Sequence, residues 1–165
     1  MIADDLPQLR RLATDPDSLG VDWGGFSDAG GFDRRLSKDG MLSEHDGMLA
    51  IDVGGDCVGQ VSWREAHHGG PAPCWAIGVS IFPEHRGRGY GSHAQRLLVD
   101  YLFAMTPVNR IQANTRADNL AEQRALAKAG FTLEGTLRGA QFKDGAWRDM
   151  MLFSILRADA REPAG

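Results

Sequence analysis

The stretch from Cys74 to Gly91 reads Cys-Trp-Ala-Ile-Gly-Val-Ser-Ile-Phe-Pro-Glu-His-Arg-Gly-Arg-Gly-Tyr-Gly, and its reading decides the fold. Its first half, Cys74 to Phe82, is the most apolar run of the chain and has the length of a buried strand. Pro83-Glu84-His85 makes a turn. Gly87, Gly89 and Gly91 then lead directly into a helical pattern. Glycines at a helix start leave backbone N–H groups bare and pointing one way, which attracts an anion and above all a phosphate.

Downstream, Ala94, Leu97, Leu98, Tyr101, Leu102 and Met105 recur at helical spacing and predict a helix over 90–105 with one apolar stripe. Thr106-Pro107 ends it. Arg110 to Thr115 alternates as a strand, so strand, helix and strand predict a crossover between parallel neighbours. Asp118 or Asn119 caps the next helix, which runs to Ala129 with Gly130 as its left-handed end. Phe131 to Leu137, a Lys143-Asp144-Gly145 turn and Trp147 to Leu156 form a closing hairpin.

Upstream, Met48 to Val53 and Cys57 to Trp63 flank Gly54-Gly55-Asp56, a hairpin signal. Leu6, Leu9 and Leu12 predict a helix over 4–13, and a short helix from Phe32 to Lys38 closes at Gly40. Between them, residues 15–31 are rich in Gly, Asp and Ser. Trp23 and Phe26 in this loop either tuck into the core or line a substrate pocket.

Twenty-two acidic and 18 basic residues leave a net charge of −4, which weighs against a nucleic-acid partner. Cys57 and Cys74 form no CxxC pair, and His67-His68 lacks a third ligand at metal spacing, so no metal is expected and reduced thiols are. Residues 1–11 carry early acids and no apolar core of a signal peptide. No run reaches the roughly 20 apolar residues of a membrane span. A cytoplasmic protein of one domain, residues 1–165, is the expectation, with a frayed polar tail over 158–165. A dinucleotide fold would need G-x-G-x-x-G and a later acid, and a Walker loop a Gly-Lys-Ser/Thr ending; neither is present.

The pattern Arg-x-x-Gly-x-Gly, carried by Arg86, Gly89 and Gly91, resembles the coenzyme A pyrophosphate loop of the GNAT superfamily of acyl-CoA N-acyltransferases. Asn119, Lys128-Ala129-Gly130-Phe131, Glu134-Gly135, Arg138, Gly145 and Trp147-Arg148-Asp149 resemble its branch containing the ribosomal-protein N-terminal acetyltransferases. The likeness covers residues 45 to 157. It implies an α+β (mixed α/β) fold: a central, mostly antiparallel twisted sheet with one parallel crossover, flanked by about four helices. The family begins with a strand before its first helix, and this sequence opens on the helix itself, so that strand is either missing or lies before Met1.

The resemblance further implies acetyl-CoA as acyl donor and an amine as acceptor. Arg86, Gly87, Arg88, Gly89, Tyr90 and Gly91 would hold the pyrophosphate. The pantetheine arm would run along the strand as far as Ile81 and Phe82, with Asn119 bonded to it. A backbone N–H near Val79 to Ile81 would polarise the thioester, a type of contact worth about 3 kcal/mol. The amine attacks directly, without a covalent enzyme intermediate. A homodimer is common in the family. Two departures stand out. Leu126 occupies the place of the family's general-acid Tyr, and Glu122 that of a frequent Ser. Glu122 fits an Asn-x-x-Glu capping box with Asn119 or a role in proton transfer, for which Ser80 is a second candidate. The acceptor side falls to residues 1–40, with Trp23 and Phe26, and to the last hairpin. A catalytically idle coenzyme A-binding module and a transferase of longer acyl groups are the alternatives. The acids Asp15, Asp17, Asp22, Asp28 and Asp33 either favour a cationic acceptor or form a solvated face.

Overall fold

The computed structural model of the chain describes residues 1–19, 23, 25–68, 70 and 72–161. Its spine is one six-stranded sheet in the order β1-β2-β3-β4-β6-β5. The strands are β1 (Asp46–Val53), β2 (Asp56–Ala66), β3 (Cys74–Ile81), β4 (Arg110–Arg116), β5 (Thr132–Lys143) and β6 (Ala146–Leu156). All neighbours run antiparallel except β3 and β4. The expected mostly antiparallel sheet with one parallel crossover is therefore present. Five helices flank it: α1 (Leu6–Thr14), α2 (Pro16–Leu19), α3 (Gly30–Asp39), α4 (Tyr90–Met105) and α5 (Leu120–Lys128). The one not foreseen is the four-residue α2, inside the stretch read as loop. A 3-10 turn, Ala3–Asp5, leads into α1, and another, Asp159–Arg161, follows β6. The last four residues of the expected tail, 162–165, lie outside the described residues.

Strand alternation sorts the side chains onto two faces. Val61, Trp63, Ile77, Ile111, Ala113, Phe153 and Ile155 point to one face and close the main core with Leu98, Leu102 and Leu126 from α4 and α5. Each fully buried leucine there contributes about 2 kcal/mol over exposure. Met48 points to the other face and joins a smaller cluster with Leu6, Leu9 and Met41, roofed by Phe32 and Leu36. Helices α1 and α3 thus belong to the opposite face from α4 and α5.

The stripe expected on α4 is rotated. Its buried face is Ala94, Gln95, Leu98, Val99, Leu102 and Phe103. Leu97, Tyr101 and Met105 are 56%, 45% and 68% exposed. Both flanks of the Leu98–Leu102 line are apolar, so periodicity alone left open which one the sheet covers. Residues Gly54 and Gly55 both take positive φ in the first hairpin, as their turn requires. Cys57 and Cys74 are free thiols at opposite ends of β2 and β3. The closing strand β5 runs six residues beyond the expected Leu137, with register shifts at 133–135 and 137–141.

Candidate active site

The site begins with a fault in the sheet. Parallel β3 and β4 pair only at Trp75 with Ile111 and Ala76 with Gln112. Beyond that point β3 continues to Ile81 and β4 to Arg116 without pairing, so the strands splay. The splay starts beside Gly78. A Cβ there would meet the Ser62 hydroxyl at 3.3 Å, and β2–β3 pairing passes through Gly78 without a shift. This glycine serves tight packing rather than a bulge.

Splaying exposes backbone groups in a regular pattern. Phe82 donates its N–H to the Val58 carbonyl. In regular antiparallel pairing every second residue faces the same neighbour, so Ser80 and Gly78 also turn toward β2. Ile77 turns its N–H to the last paired residues of β4, and Val79 and Ile81 turn theirs toward the gap. Within the expected Val79 to Ile81 window, Val79 and Ile81 are therefore the residues whose N–H groups face it.

Across the gap stands the start of α4. Its N-cap is Gly89 at φ 83, and no side chain caps it. The left-handed backbone admits glycine readily and a β-branched residue only with strain. The first N–H groups of a helix have no intrahelical acceptor, so those of Tyr90, Gly91 and Ser92 stay available. Together with their aligned peptide dipoles they make an anion-binding end. These residues, the β3 end and α5 line one cleft of about 780 Å³.

Arg86 also lines the cleft, with its guanidinium committed to backbone. Nε donates to the Ile81 carbonyl at 3.0 Å and Nη2 to the Ser18 carbonyl at 2.5 Å. It braces the end of β3 against α2. Arg88 donates to the Glu84 carbonyl at 3.3 Å. Glu84 itself accepts from Arg11 of α1 at 2.8 Å, and that guanidinium holds its carboxyl below the usual carboxylate range. Arg11 also lies over the Phe82 ring, 5.4 Å from its centre.

Helix α5 forms the facing wall. The Asn119 side chain accepts from the Glu122 N–H at 3.2 Å, so Asn119, not Asp118, is the cap. The Glu122 carboxylate accepts from Nε2 of Gln95, and Asn119 gives its own N–H to the Arg116 carbonyl. The expected capping box thus has its Asn half, while the Glu reaches across to α4. Ser80 lines the cleft, and its Oγ accepts from Nε2 of Gln60 at 3.3 Å. Leu126, in the place of the family's Tyr, is wholly buried in the core.

Ser80, Ile81, Arg86, Gly87, Gly89, Tyr90, Gly91, Asn119 and Glu122 are thus brought to one cleft. Arg88, Phe82, Trp23 and Phe26 are not among its described lining. Trp23 and Phe26 form an edge-to-face pair with ring centres 5.5 Å apart. Phe26 is 80% exposed, so it does not tuck into the core. Arg124 and Lys128 line the cleft; Arg124 went unread in the sequence, and Lys128 enters only as part of the Lys128-Ala129-Gly130-Phe131 motif, not as a site residue. Their signal is the i, i+4 spacing of two cations, which puts them on one face of α5, turned away from the side that carries Glu122. Among the described residues no cluster of three His, Cys, Asp or Glu could hold a metal, and His68 bonds to Gln112. No described helix is long and apolar enough to cross a membrane.

The sequence profile of the acetyltransferase (GNAT) domain matches residues 1–132. The probable N-acetyltransferase YjcK of Bacillus subtilis (strain 168) is 32% identical over 133 residues, 78% of this chain and 68% of that protein. The ribosomal-protein-serine acetyltransferase of Escherichia coli (strain K12) is 30% identical over 78 residues, 47% of this chain and 44% of the relative. That second match spans less than half of the relative's length. Among solved structures, spermidine N-acetyltransferase from Vibrio cholerae in complex with CoA and spermine superposes with a TM-score of 0.82, covering 98% of this chain and 95% of that one at 18% identity. Mycobacterium smegmatis RimJ in complex with CoA-disulfide gives 0.77 over 98% and 82% at 23% identity. At such identities the likeness is one of fold. Profile, relative and splayed sheet agree, and the chain belongs to the GNAT acetyltransferase family.

Proposed function

We propose that the protein transfers the acetyl group of acetyl-CoA to a primary amine of a small molecule or a peptide N-terminus, by direct attack. One observation carries the reading: the bare β3 edge at Val79 and the uncapped glycine start of α4 open into the same cleft. An extended arm can pair with the first while its pyrophosphate sits on the second. Arg124 and Lys128 add positive charge to the cleft wall. Solved structures of the same fold hold CoA.

The Val79 N–H points where a thioester carbonyl would lie and would stabilise the oxyanion as the amine adds. The cleft opens on the α4–α5 side of the sheet. The acceptor then comes through the splay from the other face, where Ser80 and Gln60 stand. Glu122 or Ser80 would receive the proton that the nitrogen sheds, directly or through water.

The early acids are spent on neighbours: Asp28 pairs with Arg34, Asp33 with Arg10 and Asp15 with Arg11. Asp22 lies outside the described residues. Asp15, Asp28 and Asp33 are thus matched by arginines, which weighs against a free cation site at those three, although one neighbour of the same fold was solved with spermine.

The test is release of free CoA thiol, measured over amines and short peptides at several acyl chain lengths. Release with acetyl-CoA and an amine acceptor is expected. Acetyl-CoA binding without release from any amine would make the protein an idle binding module, and faster release from longer acyl chains would change the donor.

A further inference from the structure

Gln95 stands in the second turn of α4 with 1% of its surface exposed, flanked by buried Ala94, Leu98 and Val99. A buried amide is costly unless its polar atoms are used. Its Nε2 donates to Oε1 of Glu122, on the cleft wall, while its Oε1 is buried without a partner. We infer that Gln95 is a positioning residue that holds the Glu122 carboxylate at the cleft as acceptor of the proton lost by the attacking amine. This rests on the acetyl transfer proposed above.

The amine nitrogen forms its bond to the acyl carbon and the C–S bond breaks. The nitrogen's proton passes through a water to Glu122, and the departing thiolate takes a proton from solvent. The Gln95 amide suits both states of that carboxyl. Its NH2 end donates to the ionised form. Turned about its terminal bond, its carbonyl would accept from the protonated form. The spare oxygen is the half of the amide that this second state uses. The Gln95 bond ties the carboxylate to α4, so that it is held from two helices and kept at the cleft.

The test uses the whole protein and three variants, Gln95→Leu, Gln95→Glu and Glu122→Gln. kcat/KM is followed against pH, acetyl-CoA binding by calorimetry and folding by melting. The other charged or titratable groups lining the cleft, His85, Arg86, Tyr90, Asp118, Arg124 and Lys128, are untouched. Glu122→Gln should lower kcat about 100-fold and remove the acid limb of the profile. Gln95→Leu withdraws a donor from the charged form, so its acid limb should move up by about one pH unit, with kcat about 10-fold lower. Gln95→Glu sets a like charge beside Glu122 and should move the limb further the same way. Acetyl-CoA affinity should stay within about twofold in all three. If Glu122→Gln loses the limb while both Gln95 variants keep it in place, the positioning role is wrong and the transfer reading stands. If Glu122→Gln works like the parent, Glu122 takes no proton. If the parent releases no thiol, the transfer reading itself falls.

Discussion

The cleft proposed for the donor and the face proposed for the acceptor are built in opposite ways. The cleft's anion-facing side is backbone: the β3 edge from Val79, no longer paired with β4, a glycine N-cap and the first amides of α4. The proposed acceptor side, α1 to α3 with the Trp23–Phe26 pair, is made of side chains paired with one another, Arg10 with Asp33, Arg34 with Asp28 and Arg35 with Asp46 of β1. A backbone site must be written with the few residues that permit its geometry. A side-chain surface can be written in many ways. The two halves touch through Arg86, bonded to Ser18, and Arg11, bonded to Glu84.

The hardest blow to this contrast is Arg86→Glu. A carboxylate cannot donate to the Ile81 and Ser18 carbonyls, and it faces the anion the cleft is proposed to hold. Acetyl-CoA should bind about 100-fold more weakly by calorimetry, near 2.7 kcal/mol, with acceptor KM little changed. Binding equal to the parent's would put the donor elsewhere and end the division into halves.

That division explains what could be read beforehand. Gly87 and Gly89 stand in the sequence because the turn and helix start hold them at positive φ, and the hairpin glycines were legible for the same reason, as the Asn119 cap was from its side chain. Gly91 sits in the helix itself, where a Cβ would meet only Ile81 at 3.6 Å. The α4 stripe was half legible. Its 3.6-residue period was plain, but Leu97 and Val99 are both apolar and only packing buries one of them. Gln95 was invisible, because its role depends on a residue 27 positions away on another helix. The Phe26 position was equally closed to reading: an aromatic among glycines has no periodicity to tell core from surface.

A smaller effect sharpens the acceptor half. Trp23→Ala or Phe26→Ala breaks an aromatic pair, Phe26 exposed and Trp23 half-buried, that is not among the cleft's described lining. If that pair touches the acceptor, kcat/KM for it should fall about 10-fold, about 1.4 kcal/mol, in the range that one aromatic ring packed on a ligand supplies. Acetyl-CoA affinity should be unchanged. A drop in acetyl-CoA affinity would tie the loop to the donor instead.

The smallest effect concerns how side chains hold the sheet on its acceptor face. Glu134 sits in the β5 register shift and accepts from both terminal nitrogens of Arg110 at 2.6 Å and from Ser154 at 2.7 Å. Arg110 first, then Ser154, pull its carboxyl down to about 2. A folded value below the ordinary carboxylate value of about 4.3 means the unfolded chain takes up the proton first. The pair's stabilisation is therefore complete above about pH 4.3 and fades as pH falls toward about 2. Glu134 is 37% exposed at its side chain, so solvent screens the pair and its worth stays below about 1 kcal/mol. Glu134→Gln should lower Tm at pH 7 by no more than about 4 °C, and the gap to the parent should close between about pH 4.3 and about pH 2. A gap that persists at the acid end would mean that Glu134 supports β5 through packing or its neutral hydrogen bonds. The acceptor face would then, like the cleft, owe its shape to uncharged contacts rather than to paired charges.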